Sequence, residues 1–198
     1  AAKYAATDEF SNLIQGIGGE GLNAFTAYDV TCYMNSFPAY QMERWLTLYA
    51  DRLTNPVFRS FQAELENVFE EYNMYLDDNS THSRNFIFGK LYEGHAYARD
   101  IIGYAEDLKN PKLRKLIDFY NTWYVPNNMA LILVGDFDIE ATKPLIEKTF
   151  GKLQARPLPE RTKYPTTAFT QDERYSAKLG YMPELYIAYN GVPVGDKD

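Results

Sequence analysis

The sequence predicts a mixed α+β fold, antiparallel strands packed under helices, and three observations carry that prediction. Apolar residues recur at helical spacing in several runs, most clearly at Met42, Trp45, Leu46, Tyr49 and Leu53. Between Ala24 and Ser36 the alternation places Tyr28, Val30, Cys32 and Met34 on one face, with Asp29, Thr31 and Asn35 opposite, the pattern of a half-buried strand. Glycine, proline and Asp/Asn clusters separate these runs. Helices and antiparallel strands in such an order stack as an α+β layer.

The elements follow in order. Residues 2–15 suit a helix ended by Gly16, Gly18 and Gly19. One strand is expected from Ala24 to Ser36, then a helix opened by Pro38 and stopped near Asn55-Pro56. A further helix is expected from Val57 to Leu76, with Asp77-Asp78-Asn79-Ser80 as a polar stop. Ser83–Leu91 suits a short helix, followed by an irregular stretch to Gly103. Pro111 starts a helix through Leu113, Leu116, Ile117, Phe119 and Tyr120 to Trp123. Ala130–Val134 reads as a buried strand and Ile139–Phe150 as a helix. A proline-bearing stretch from Arg156 to Pro165 resembles a linker, and two strands are expected near Asp172–Lys178 and Leu185–Asn190.

Composition narrows the function. With 198 residues and 45% hydrophobic content, one sizeable core is expected. The 17 tyrosines, 12 phenylalanines and 2 tryptophans argue against disorder. A net charge of −7 lacks the clustered Lys and Arg of a nucleic-acid footprint, so no nucleic-acid partner is expected. No apolar run approaches the length of a membrane span. The single Cys32 excludes an intramolecular disulfide framework. The sequence begins without Met inside a helix-compatible run and stops at Gly195-Asp196-Lys197-Asp198 just after an expected strand. Both ends read as cuts in a longer protein.

Glu64 and Glu71 are the residues richest in implied chemistry. Seven residues is almost two helical turns, so both carboxylates leave one face, with Val68 between them and Leu65, Phe69, Tyr72 and Leu76 beside them. From the residues alone two readings stand. The segment is a solvated acidic helix, with Glu66 and Glu70 in water, or its carboxylates are offset by a metal, a cation or hydrogen bonds. His82 and His95, the two histidines, match no compact zinc spacing, even with Cys32 added. His95 is expected to anchor the Gly94–Gly103 loop by hydrogen bonding.

Four ordered segments extend beyond these residues. Gly16–Tyr33 carries a glycine-rich turn and Asn23-Ala24-Phe25-Thr26, and Glu64 and Glu71 follow on their helix. Tyr92-Glu93-Gly94-His95-Ala96-Tyr97 leads to Gly103, and Tyr124-Val125-Pro126-Asn127-Asn128 leads to Val134-Gly135-Asp136. Together they resemble the pitrilysin/insulin-degrading-enzyme (insulinase) family of zinc metallopeptidases, the inverzincins with an inverted His-x-x-Glu-His motif. No such motif occurs in this sequence. Counted back from Glu71, the motif helix would fall before Ala1.

That resemblance implies roles for particular residues. The fold would be a pitrilysin/mitochondrial-processing-peptidase half-domain. Residues 1–155 would be part of the N-terminal catalytic half-domain without its motif helix, and 156–198 a linker and the first strands of the next half-domain. Glu71 would be the third zinc ligand, beside two motif histidines, with the motif glutamate as general base on the metal-bound water. Glu64 would orient a ligand histidine or tune the site. Asn23, Ala24, Phe25 and Thr26 would form the edge that binds an extended peptide substrate; the other reading is an interior strand that packs Phe25. Gly18 and Gly19 serve either close substrate approach or plain helix termination. Tyr124, Asn127 and Asn128 read as scaffold, with Pro126 fixing the backbone. The whole protein would be a zinc-dependent endopeptidase, this fragment alone being inactive and without zinc, partnered by a second homologous half-domain or subunit. An extracytoplasmic, periplasmic location is what bacterial members imply. The alternative is a non-catalytic partner or structural subunit of the same fold.

Overall fold

The computed structural model describes residues 9–109, 111–164, 169–179 and 182–192. Its elements are α1 (Glu9–Gly16), β1 (Glu20–Thr26), β2 (Thr31–Ser36), α2 (Met42–Thr54), α3 (Phe61–Leu76), α4 (Asn79–Leu91), α5 (Ala105–Lys109), α6 (Leu113–Trp123) and α7 (Ile139–Thr149). Helices with a two-stranded antiparallel sheet make this a mixed α and β fold. Two compact units are formed, Ala1–Glu64 with Pro111–Glu160, and Leu65–Asn110 with Arg161–Asp198. α3 begins in the first and continues in the second.

In the first unit, α1 lays Phe10 and Ile14 against Met42, Trp45, Leu46 and Tyr49 of α2. These α2 residues recur every three or four positions, and burying such a stripe is what stabilises an amphipathic helix. Leu145, Ile146 and Phe150 from α7 and its C-terminal end close the cluster from another side. α1 stops in a Schellman arrangement: Gly18 N–H donates to the Gln15 carbonyl and Gly19 N–H to the Ile14 carbonyl, both at 2.8 Å. Gly18 has φ +80, and a Cβ on Gly19 would lie 2.5 Å from Ile14 Cγ2. Both glycines are therefore explained as helix termination.

The single strand expected from Ala24 to Ser36 is instead a hairpin. Ala27–Val30 forms its turn, Ala27 N–H donating to the Val30 carbonyl at 2.8 Å. A two-residue reversal at Tyr28-Asp29 fits the same alternating text, because period-two patterning survives a tight turn. β1 starts at Glu20, with an irregular register between Glu20 and Asn23. Every residue of β1 is exposed, so the strand is not half-buried. Asn35 of β2 accepts from Trp45 Nε1 (3.0 Å) and Tyr49 Oη (2.7 Å), which fixes the hairpin on α2.

Three further expected strands are absent. Residues 130–134, 172–178 and 185–190 adopt no regular structure among the described residues. The apolar run expected to be buried leaves Ile132 79% and Val134 93% exposed. A strand is stabilised by its ladder, and no described strand pairs with these segments. The helix expected from Val57 begins four residues later, at Phe61, because Asn55 to Ser60 turns, with Ser60 at φ 58. α4 starts at Asn79 rather than Ser83 because Asp78 caps it, accepting from the backbone N–H of Ser80 and Thr81. α5 was not anticipated in the stretch before Pro111. Residues 2–8 of the first expected helix and Pro165 lie outside the described residues.

Candidate functional site

β1 joins β2 by one edge, and among the described residues no strand pairs with its other edge. From the Ala27/Val30 bond the ladder alternates: Phe25/Cys32 is a hydrogen-bonded pair, and Ala24/Tyr33 and Thr26/Thr31 are not. The N–H of Ala24 therefore points away from β2. It donates to the Oδ1 of its own neighbour Asn23 at 2.8 Å. Thr26 and Thr31 bring their hydroxyl oxygens to 3.2 Å across the non-bonded pair. Phe25 is half exposed, at 50%, and packs in no interior.

Within the first unit, a groove of about 450 Å³ runs along this strand. Asn23 and Ala24 line it beside Glu64 of α3 and Arg52 of α2. Phe10, Leu22, Tyr33, Phe58 and Leu116 give it apolar walls. The structure thus brings together Asn23, Ala24 and Glu64, three residues singled out in the sequence. Phe25 and Thr26 belong to the same strand but not to the groove lining. Glu71 lies further along α3, in the second unit, and is exposed.

No hydrogen bond or ion pair among the described residues engages the Glu64 or Glu71 carboxylate. α3 buries no residue fully, and Leu65, Val68, Phe69 and Tyr72 are half-buried. The two carboxylates share a helix face through their spacing. A zinc site needs three protein donors, and the described residues hold no such group of His, Cys, Asp and Glu. The two histidines serve local structure. His82 Nε2 lies 2.6 Å from the Leu76 carbonyl, and His95 Nδ1 accepts from Tyr97 N–H at 3.0 Å. The donor set described here does not by itself fit a zinc ion.

Sequence reasoning missed the aromatic and cationic wall of the groove. The guanidinium of Arg52 lies 4.6 Å from the Phe10 ring centre and 5.2 Å from that of Tyr33. Tyr33 and Tyr124 join their hydroxyls at 2.7 Å, and Tyr120 stacks on Tyr124 with centroids 4.5 Å apart. Burial, then the Tyr33 charge, pushes the Tyr120 phenol up to about 12. Burial, then the Tyr33 hydrogen bond, raises Tyr124 as well. Arg52 works against both shifts, because a nearby cation favours phenolate. The only sequence signal for Arg52 was its place on α2 beside the apolar stripe. Asn127 exchanges hydrogen bonds with the Arg156 backbone, and Asn128 Nδ2 donates to the Trp123 carbonyl.

The family model described as "Insulinase (Peptidase family M16)" matches residues 1–105, and the one described as "Peptidase M16 inactive domain" matches residues 112–198. The chain is 29% identical over 158 residues to a probable zinc protease, PqqL, of Escherichia coli, covering 76% of this chain and 17% of that protein. A crystal structure of a protease from Helicobacter pylori superposes with a TM-score of 0.74 at 26% identity, covering 83% of this chain and 41% of that one. The first half of the periplasmic protease PqqL from Escherichia coli has the same fold, with a TM-score of 0.74 at 24% identity over 84% of this chain and 37% of that one. The chain thus spans well under half the length of these proteins. No helix among the described residues is long and apolar enough to cross a membrane.

Proposed function

Because the chain belongs to the insulinase family (peptidase family M16), we propose that it is part of a zinc-dependent endopeptidase that hydrolyses peptides or small proteins bound as an extended strand on β1. The observation that carries this reading is the groove in which Asn23 and Ala24 of an open strand edge stand beside Glu64. Edge strands recruit extended peptides through main-chain groups, which suits a substrate of varied sequence. Glu71 supplies one zinc donor, and two histidines and a general-base glutamate come from outside this chain. Glu64 positions one of those ligands. The chain alone neither hydrolyses peptides nor retains zinc. In the whole protein, residues 1–155 belong to the N-terminal half-domain and 156–198 lead into the next, with a second homologous half-domain or subunit as partner. An extracytoplasmic location follows the periplasmic PqqL.

A second reading, a non-catalytic subunit of the same fold, draws on the match of residues 112–198 to an inactive-domain model. One experiment separates the two. In the full-length protein, Glu71→Gln abolishes peptide hydrolysis and lowers bound zinc, because a neutral amide is a poor substitute for a carboxylate ligand. Glu64→Gln retains more zinc and slows turnover by about 10–100-fold. Zinc content and rate equal to wild type in Glu71→Gln would overturn the assignment.

A further inference from the structure

We propose that the groove beside β1 selects an acidic side chain of the bound peptide, with Arg52 as the specificity-determining residue. The inference rests on β1 being the strand that captures peptide. Ala24 and Tyr33 are directly opposed across the hairpin, so their side chains leave one face of the sheet. Both line the groove, as does Arg52. A peptide added to the open edge of β1 continues the sheet, and every second side chain then leaves on that same face, toward the groove.

Arg52 is suited to receive one of them. It is half-buried, and rings of Phe10 and Tyr33 lie within 4.6 and 5.2 Å of its guanidinium. Ring contact holds the guanidinium while leaving its in-plane N–H fork available for a bidentate carboxylate. Among the described residues no carboxylate or other hydrogen-bond acceptor engages it. A half-buried guanidinium in no ion pair among the described residues is an arrangement that an incoming anion completes. Glu64 lines the groove too and forms no ion pair with Arg52, so the Arg52 guanidinium is not neutralised by it. At about 450 Å³ the groove has room for a glutamate side chain.

The test uses the 198-residue chain and fluorescein-labelled decapeptides of Ser, Thr and Ala. A single Glu, Gln or Lys is moved through the sequence, and binding is read by anisotropy. At one position Glu should bind about tenfold more tightly than Gln, with Lys weakest, since hydrogen bonds to a charged group discriminate on that scale. Arg52→Gln should erase the preference for Glu over Gln, and Arg52→Glu should favour Lys. Because Arg52 also packs on two rings, the wild-type series decides if the variants do not fold. Peptides bound equally whatever the residue would overturn the acidic selection while leaving capture by β1 intact. Failure to bind any peptide would overturn both.

Discussion

Tyr120 and Tyr124 lie near Arg52, and burial is the first cause that raises their phenols. Tyr120 also donates to the Leu53 carbonyl at 2.9 Å, so its proton is held in the fold. A phenol raised to about 12 keeps its proton more tightly folded than unfolded, where it titrates near 10. Its contribution to stability is full below pH ~10 and is lost as pH rises through about 12. The stability difference between wild type and Tyr120→Phe, read by urea unfolding, should be constant below pH ~10 and shrink above it. A difference that stays constant across that range would show that Tyr120 is not set by burial. At this scale the placing of Glu64 and Glu71 on one helix and of Asn23 on a strand was legible, because helix spacing and strand alternation are local text. Arg52 was not, since its environment is made by Phe10 and Tyr33, brought together only by folding.

The hairpin shows which backbone groups are available and which are committed. Ala24→Pro deletes an N–H that points away from β2, whereas Phe25→Pro deletes one in a hydrogen-bonded pair. Ala24→Pro should therefore leave the circular dichroism near wild type and weaken peptide binding. Phe25→Pro should disrupt the hairpin itself. If Ala24→Pro keeps its fold and full peptide affinity, substrate does not use this donor. α4 offers a pH test. Its cap Asp78 is held at about 2 by hydrogen bonds from Ser80 and Thr81. A carboxylate lowered in the fold stabilises above its unfolded value near 4, and that stabilisation is lost as pH falls through about 2. Asp78→Asn should thus melt below wild type at neutral pH, and the two should converge near pH ~2. Helices with a buried stripe, α2 above all, were legible because their pattern is local. The hairpin was read as one strand because alternation runs through its turn, and the later strands failed because a ladder needs a partner that periodicity cannot supply.

Across the whole molecule, apolar side chains are unevenly spent. The first unit buries a connected cluster on α1 and α2, while the second buries only Thr81 among its described residues. Ile132 and Val134 in one unit, and Leu185 (87% exposed) and Ile187 (71%) in the other, face water. Short β-branched runs left exposed are association hazards. Val134→Lys with Ile187→Lys should lower light scattering of concentrated chain and change unfolding free energy by no more than about 0.5 kcal/mol each. Unchanged scattering would mean that these runs do not drive association. Fold class and family were legible at this scale from ordered segments, whereas the division into two compact units was not, because it depends on contacts between distant stretches.

The bond from Ala24 N–H to Asn23 Oδ1 turns capture of a strand into an exchange of acceptors. An arriving carbonyl takes over a donor already engaged, so the tally of bonds at that amide is the same before and after. Main-chain pairing at Ala24 then fixes the alignment of a guest strand, and a guest that found no donor there would leave its own carbonyl unpaired. It also leaves the amide partly shielded between guests, a quieter margin than the open edge of a two-stranded sheet would otherwise present.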